Sequence, residues 1–418
     1  MNIIDQIYLQ NPWFRETEFL FGEAELPKRH IFNSLYHDIT NTKQIISLTG
    51  LRRTGKTTLI RQAINKLLKN NVHPKNILYF SFDQPTILEE TNTLEQIIYI
   101  YLNKIKKTQP LNIKEKIYFF FDEIQLIPFW QDILKRFYDL NQQLKFIVTG
   151  SSSLYLVKYA KESLAGRIFE KNLTPLSFFE YEQMSKDDDF LNYLEFGQFP
   201  ELLEMKDRLK RIEYLKEGVI NKVLEIDIIK NYKIRRTIDF ERLFWSLLQN
   251  CGQIINSVRL QSDLRIKKAT FFNYLNILEK TLLINKVLNL SGSFRSEKRL
   301  LRKIYPASTN FLSLTSESVN IGFKVENYVF NILKEKYKNV YLYRLREREI
   351  DFLIPDKKIA VEVKYQNSIH SSETVFLRKY INEKKYSGVV VTKNLKTKDE
   401  KENIFFIPVE ELEKSIVF

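Results

Sequence analysis

Gly50-Leu51-Arg52-Arg53-Thr54-Gly55-Lys56-Thr57 follows a short β-type run, Gln44 to Leu48, and opens a helical pattern from Thr58 to Leu68. The spacing is G-x-x-x-x-G-K-T between a strand and a helix, the setting that a phosphate-cradling loop requires. Glycines at both ends let the backbone wrap tightly, so that N–H groups converge on phosphate oxygens. The helix that follows adds the positive end of its dipole. Gly50, Arg53, Thr54, Gly55, Lys56, Thr57 and Thr58 are therefore the expected nucleotide contacts. Lys56 is expected on the β- and γ-phosphates, and the Thr57 hydroxyl as a Mg²⁺ ligand. The fold class that follows is α/β, a P-loop parallel sheet with flanking helices.

Reading onward, Asn76 to Asp83 has the pattern of a second strand, and Thr93 to Lys107 that of a helix. Ile117-Tyr-Phe-Phe-Phe-Asp122-Glu123 is an apolar run ending in two acids. Such a run reads as a central parallel strand buried on both faces, with its acids at the end where α/β sheets bind ligands. Asp122 is expected to hold Mg²⁺ and Glu123 to polarise the attacking water. After a helix near Phe129–Leu140, the strand from Lys145 ends in Thr149-Gly150-Ser151-Ser152-Ser153. Thr149 and Ser151 are the candidates to sense the γ-phosphate, a helix cap being the plainer use of a serine here. Arg167, beside Gly166, is a candidate charge stabiliser acting in cis or on a neighbouring subunit; a surface salt bridge is the alternative. The aromatic residues Trp13, Phe14, Phe19 and Phe21 are expected to pack on this core, with adenine contact as the other reading.

Bulk properties bound the rest. The 418 residues suggest two to four domains. Net charge is +14, and residues 201–310 hold 22 Lys+Arg against 12 Asp+Glu, which favours an anionic partner such as nucleic acid over a merely Lys-rich surface. The lone cysteine, Cys251, excludes an intrachain disulfide and a Cys-rich zinc site. No run is long enough to span a bilayer and Met1–Trp13 lacks a signal-type apolar core, so a cytoplasmic protein with no membrane partner is expected.

The segment after residue 201 starts with charged helices, read as a lid or linker. From Ile238 the pattern suggests a winged helix-turn-helix. Its helices are expected near Phe240–Asn250, Ser257–Leu264 and Lys267–Leu282, and its hairpin at Leu283–Leu288 and Lys303–Tyr305. The basic wing would be Arg295-Ser-Glu-Lys298-Arg299. In that geometry Arg265, Lys267, Lys268, Thr270 and Asn273 face the major groove, although such modules also bind proteins. Further on, Asp351 and the pair Glu362 and Lys364 flank a turn at Pro355–Lys358. Alternation puts Glu362 and Lys364 on one strand face, and two carboxylates there suit a divalent cation. Lys364 would position a nucleophile.

Several of these stretches together resemble a large prokaryotic family of AAA-type ATPases. They are the loop Gly-x-Arg-Arg-Thr-Gly-Lys-Thr-Thr, the Phe-Asp-Glu-Ile-Gln strand end, Thr-Gly-Ser-Ser-Ser, Leu-Ala-Gly-Arg, Leu173–Glu180 and Phe196-Gly197-Gln198-Phe199-Pro200-Glu201. The family usually has a second glycine where Gln198 stands. The resemblance implies an ATPase domain over 1–200, a helical lid with a winged helix over 201–316, and a PD-(D/E)xK nuclease-like (restriction-endonuclease-like) α/β domain over 317–418. It also implies that Glu326 joins Asp351 and Glu362 as a metal ligand. Expected cofactors are ATP and Mg²⁺; expected partners are DNA and further copies of the chain. Two functions stay open: ATP turnover driving a metal-dependent nuclease, or a nucleotide-gated switch whose C-terminal half binds without cutting.

Overall fold

Ile45–Gly50 (β1) is buried along its whole length, as a strand covered on both sheet faces must be. The computed structural model describes residues 2–16, 18–83, 93–150, 164–230, 232–290, 302–315 and 319–415. These form two compact units, Met1–Thr174 and Pro175–Phe418.

In the first unit β1 is joined by β2 (Ile77–Ser81), β3 (Ile117–Asp122), β4 (Leu144–Gly150) and β5 (Ile168–Leu173) in one sheet of order β2-β3-β4-β1-β5. Every neighbouring pair is parallel. The sheet is the P-loop type expected. Because β4 lies between β1 and β3, Thr149 is carried between the loop after β1 and the acids after β3. Helices α1 (Ile3–Gln10), α2 (Phe32–Asn41), α3 (Lys56–Lys69), α4 (Thr93–Ile100) and α5 (Trp130–Leu140) flank the sheet. One apolar cluster packs α4 and α5 against Phe80, Phe119, Phe121 and Phe146. A second packs α2 and α3 against Ile46, Leu48, Tyr79 and Phe120.

The N-terminal aromatic residues pack on the core, as expected. Trp13 is fully buried in the second cluster, and Phe14, Phe19 and Phe21 lie against it. The same segment also solves the problem of the edge strand. On β2, Ile77 O accepts from Trp13 Nε1 at 3.0 Å, and Tyr79 exchanges two bonds with the Asn11 amide at 2.7 and 2.8 Å. Ser81 N donates to Gln10 Oε1 at 2.7 Å. Side chains thus satisfy the polar groups that an open edge would offer to another chain.

The second unit begins with α6 (Phe178–Ser185), whose Ser177 and Glu180 form a capping box, and α7 (Phe190–Phe196). The two compact units divide at residue 174, where 1–200 was expected as one domain. Residues up to 198 are tied into the second unit by a Gln198–Asn310 knot. Asn310 Nδ2 donates to Tyr193 O and Leu194 O, each at 3.0 Å, and its Oδ1 accepts from Gln198 N at 2.9 Å. Gln198 Oε1 accepts from Ser308 Oγ at 2.6 Å and Thr309 N at 2.9 Å. The amide standing where a glycine was expected is a buried crosslink. A charged helix, Arg208–Glu213, continues into the wider π-helical turns Tyr214–Ile220 and Val223–Lys230.

Three helices follow: α8 (Thr237–Gln249), α9 (Ser257–Asp263) and α10 (Lys268–Lys280). The antiparallel hairpin of β6 (Ile284–Leu288) and β7 (Arg302–Pro306) comes next, with Ile254 bridging to Lys303 on its free side. The wing residues Arg295, Lys298 and Arg299 lie outside the described residues. A separate mixed sheet completes the unit. After α11 (Ile321–Lys336) come β8 (Tyr341–Leu345), β9 (Arg348–Ile354), β10 (Ile359–Lys364), α12 (Val375–Lys384), β11 (Ser387–Thr392), β12 (Thr397–Asp399) and β13 (Ile404–Pro408), in the order β12-β13-β11-β10-β9-β8. Among the described residues no helix is long and apolar enough to cross a membrane.

Candidate functional site

The loop after β1 is shaped by its two glycines. A Cβ on Gly50 would lie 2.4 Å from the Leu173 carbonyl oxygen, so only glycine lets β5 come this close. Gly55 has φ +96° and nothing within 4 Å of where its Cβ would stand, leaving open space over the loop. Thr54 Oγ1 donates to Leu51 O at 2.9 Å and tightens the turn. Lys56 is the first residue of α3 and is buried. Its ammonium donates to Gly50 O at 3.0 Å and Leu51 O at 2.8 Å. Arg53 is exposed in a left-handed conformation (φ 64°), and Thr58 lies in the first turn of α3, partly exposed.

Asp122 is the junction of the site. Its Oδ2 accepts from Thr57 Oγ1 at 2.8 Å and from Tyr79 OH at 3.2 Å. Its Oδ1 accepts from Thr149 Oγ1, which in turn accepts from Glu123 N at 3.1 Å. The hydroxyl and carboxylate expected to share Mg²⁺ are thus already in contact, and the residues present fit that ion. Glu123 is in the left-handed region (φ 55°), which swings it off the line of β3, and Gln125 Nε2 donates to its carboxylate. Burial raises the Glu123 pKa, with the nearby Lys56 charge pulling against that shift. A carboxyl made more basic is better suited to take a proton from water.

Two residues here escaped the sequence reading. Tyr79 is a mid-strand aromatic with no local sign that its hydroxyl reaches Asp122; burial first and then Asp122 raise its pKa, so it stays a donor. Arg29, from the segment before α2, is buried. It donates from Nη1 to Thr54 O and from Nη2 to Thr174 O, both at 2.8 Å. One guanidinium therefore braces the phosphate loop against the residue at which the first unit ends.

Arg167 stands away from the loop of its own chain, so of the expected readings the cis role does not fit. It directly precedes β5, and its carbonyl accepts from Ile45 N at the start of β1. The phosphate loop leaves the opposite end of β1, about 20 Å away at the usual rise for six residues. Arg167 instead pairs with Asp139, Nε to Oδ1 at 2.8 Å. It is not at the nucleotide site of its own chain. Ser151 lies outside the described residues.

In the second unit the structure brings Glu326, Asp351, Glu362 and Lys364 together. Val361 of β10 faces Phe352 of β9, which sets Asp351 beside Glu362. Lys364 Nζ pairs with Glu362 Oε1 at 2.8 Å, and Val363 N donates to Asp351 Oδ2 at 2.8 Å. The centre, however, holds a lysine from the hairpin, which local spacing could not place there. Lys303 Nζ lies 2.8 Å from Glu326 Oε1 and 3.9 Å from Asp351 Oδ1, and also pairs with Glu349. Burial works against its charge, but Glu326, Asp351 and Glu349 overcome that and hold the Lys303 pKa above its ordinary value. Burial, with Asp351 beside them, pushes Glu326 up to about 7 and Glu362 up to about 8. Among the described residues no group of three or more His, Cys, Asp or Glu is placed to hold a metal ion. Glu326 and Asp351 of the expected divalent set thus have the Lys303 ammonium beside them in this arrangement.

Residues 42–182 match the family model described as an AAA domain, and 187–310 and 321–412 match two models described as domains of unknown function. An uncharacterized protein of Haemophilus influenzae is 25 % identical over 353 residues, covering 80 % of this chain and 86 % of its own. One from Methanocaldococcus jannaschii is 27 % identical over 397 residues, covering 87 % and 86 %. Among solved structures, the replication initiator DnaA bound to AMPPCP and single-stranded DNA aligns at 15 % identity over 65 % of this chain and 92 % of its own, with a TM-score of 0.30. PCH-2 of C. elegans aligns at 15 % over 65 % and 71 %, with a TM-score of 0.25. The matched AAA model spans the phosphate loop, the Asp122-Glu123 strand end and Thr149, and the first unit accordingly carries an AAA-type ATPase domain.

Proposed function

We propose that the first unit binds ATP with Mg²⁺ and hydrolyses it, and that turnover gates the contact of the second unit with an anionic partner, DNA being the one its charge suits. The observation that carries the reading is the 2.8 Å bond from Thr57 Oγ1 to Asp122 Oδ2. It joins the phosphate loop to the acid strand at the point where both would hold Mg²⁺. Gly50, Arg53, Thr54, Gly55, Lys56 and Thr58 frame the phosphates. Bound Mg²⁺ supplies positive charge against the phosphate oxygens. Glu123 accepts the proton of the attacking water. Thr149 holds the Glu123 backbone N–H and the Asp122 carboxylate, so it orients both acids. Ser151 is the other candidate for sensing the γ-phosphate. Arg167 can serve only in a neighbouring copy, which a comparison of particle size with and without ATP addresses. A cytoplasmic location goes with the same reading.

ATP turnover by the full chain tests it. Lys56→Ala loses nucleotide binding. Glu123→Gln keeps binding but turns over about 10²–10⁴-fold more slowly, the range for removing a general base. Wild-type hydrolysis by Lys56→Ala refutes the proposal.

For the second unit the two readings are a winged helix serving a nuclease-like domain, with Glu326, Asp351, Glu362 and Lys364 in the cutting role, and a binding module that does not cut. The position of Lys303 favours the second. Basic residues Arg265, Lys267 and Lys268 then contact DNA through phosphates and groove edges. Plasmid incubated with the protein, Mg²⁺ and ATP stays uncut; nicking that disappears in Asp351→Ala reinstates the nuclease.

A further inference from the structure

We infer that the Lys303 ammonium is a built-in cation that fills the carboxylate cluster of the second unit, so that a divalent ion binds there only when that ammonium is removed. The inference rests on the geometry of this cluster and not on ATP turnover.

Four carboxylates converge here, from Glu326 on α11, Glu349 and Asp351 on β9, and Glu362 on β10. Such a set does not stay buried without cations. Among the described residues three are in place. Arg344 Nη1 stands 3.5 Å from Glu349 Oε2 at the outer side, and Lys364 serves Glu362. Lys303 reaches the middle, touching Glu326 and Glu349 and standing close to Asp351.

Its delivery is rigid. Lys303 lies on β7, paired with Val287 on one side and bridged to Ile254 on the other, and is 5 % exposed. Two residues on, and so on the same strand face, Tyr305 OH donates to the same Glu326 oxygen. One strand therefore offers Glu326 two donors. A free ion must displace both from the oxygen it needs, and a cation tethered to the fold competes at high effective concentration. The space has a second mark of a cation position: Glu362 Oε2 is buried and has no hydrogen-bond partner among the described residues. The cluster keeps coordinating capacity that the lysine does not use.

Mn²⁺ binding by the full chain, without nucleotide so that the first unit is not loaded, tests the inference through the EPR signal of free Mn²⁺. Wild type takes up no Mn²⁺ at this cluster. Lys303→Ala gains one Mn²⁺ per chain, because removing the ammonium takes away its repulsion of a divalent ion a few ångströms away. Lys303→Ala combined with Asp351→Asn loses it again. Lys303→Met, which keeps the aliphatic volume, behaves as the alanine variant, and Mn²⁺ raises the thermal midpoint of both but not of wild type. Wild-type uptake that depends on Asp351 overturns the inference, as does a lysine variant that gains no ion. Failure of both lysine variants to fold even with Mn²⁺ also overturns it, because a cluster that accepts a divalent ion must be rescued by one. ATP turnover measured on the same wild-type sample reports on the first unit alone, so the two readings fail separately.

Discussion

Replacing Arg29 by methionine removes the brace between the phosphate loop and the end of the first unit. The side chain is 5 % exposed and gives two 2.8 Å bonds, to Thr54 O and Thr174 O. Hydrogen bonds from a charged donor contribute about 1.5–3 kcal/mol each, so the pair is worth about 3–6 kcal/mol at most. Methionine fills part of the stem volume but leaves both carbonyls without that donor. Water and small shifts return some of the loss, and about 2–4 kcal/mol of unfolding stability should go. The share that reaches nucleotide is the Thr54 bond. If about 1.5–3 kcal/mol no longer holds the loop in its cradle, the binding-competent fraction falls and ATP affinity weakens about ten- to a hundred-fold. Calorimetric titration with ATP gives the affinity, and urea unfolding followed by Trp13 and Trp130 gives the stability. Arg29→Lys recovers only part of both, since a point charge cannot fork to two carbonyls. A methionine variant with the expected stability loss and unchanged ATP affinity refutes the coupling: Arg29 would then brace the core and nothing more.

Four further outcomes follow from the same geometry. Tyr79→Phe removes one of three donors on Asp122 and should lower kcat about ten-fold with little change in ATP affinity; a wild-type rate removes Tyr79 from the site. Arg167→Ala should leave turnover in dilute protein within about two-fold, since it forms a solvent-screened ion pair with Asp139 away from the phosphate loop; a large loss there contradicts its placement. Gln198→Ala and Ser308→Ala should each cost about 1–3 kcal/mol, measured by urea unfolding, and the double variant should cost less than their sum because they share one bond. Lys145 gives a pH signature. Burial, with Lys116 nearby, lowers its pKa from 10.5 to about 7, so above pH 7 the unfolded chain binds one more proton than the folded one. Stability therefore rises between pH 7 and about 10 by at most about 1.4 kcal/mol per unit. Lys145→Met should lack this rise; equal pH slopes in both proteins refute the assignment.

What the sequence made legible was what is local. Gly50 to Thr57 carries its own geometry in eight contiguous positions, and the run Ile117–Asp122 names its burial and its functional end together. Thr149 was readable because a buried strand ends on it. Which of the readings of Arg167 (cis, trans or surface salt bridge) applies was not legible, for a physical reason. Its nearness to Gly166 says nothing about which end of β5 it occupies, and strand direction within the sheet decides that. Arg29, Tyr79 and Lys303 were invisible because their partners lie 23 to 145 positions away and depend on how the elements pack. The role of Gln198 was hidden likewise: it reads as a replaced glycine, and its bonds to Ser308 and Thr309 depend on packing.

The arm before residue 42 bears on where this protein can be cut. The AAA model begins at residue 42, yet Trp13, Phe32, Leu35 and Ile39 are core residues of the first unit, and Gln10, Asn11 and Trp13 close the edge of β2. Arg29 reaches the phosphate loop from the same arm. A fragment trimmed to the matched limits would bare a sheet edge, expose the apolar face of α3 and leave the loop unbraced. It would stick to itself before it could turn over a nucleotide. The folded unit around the phosphate loop is larger than the family outline drawn on it, and the piece to express starts at its first helix.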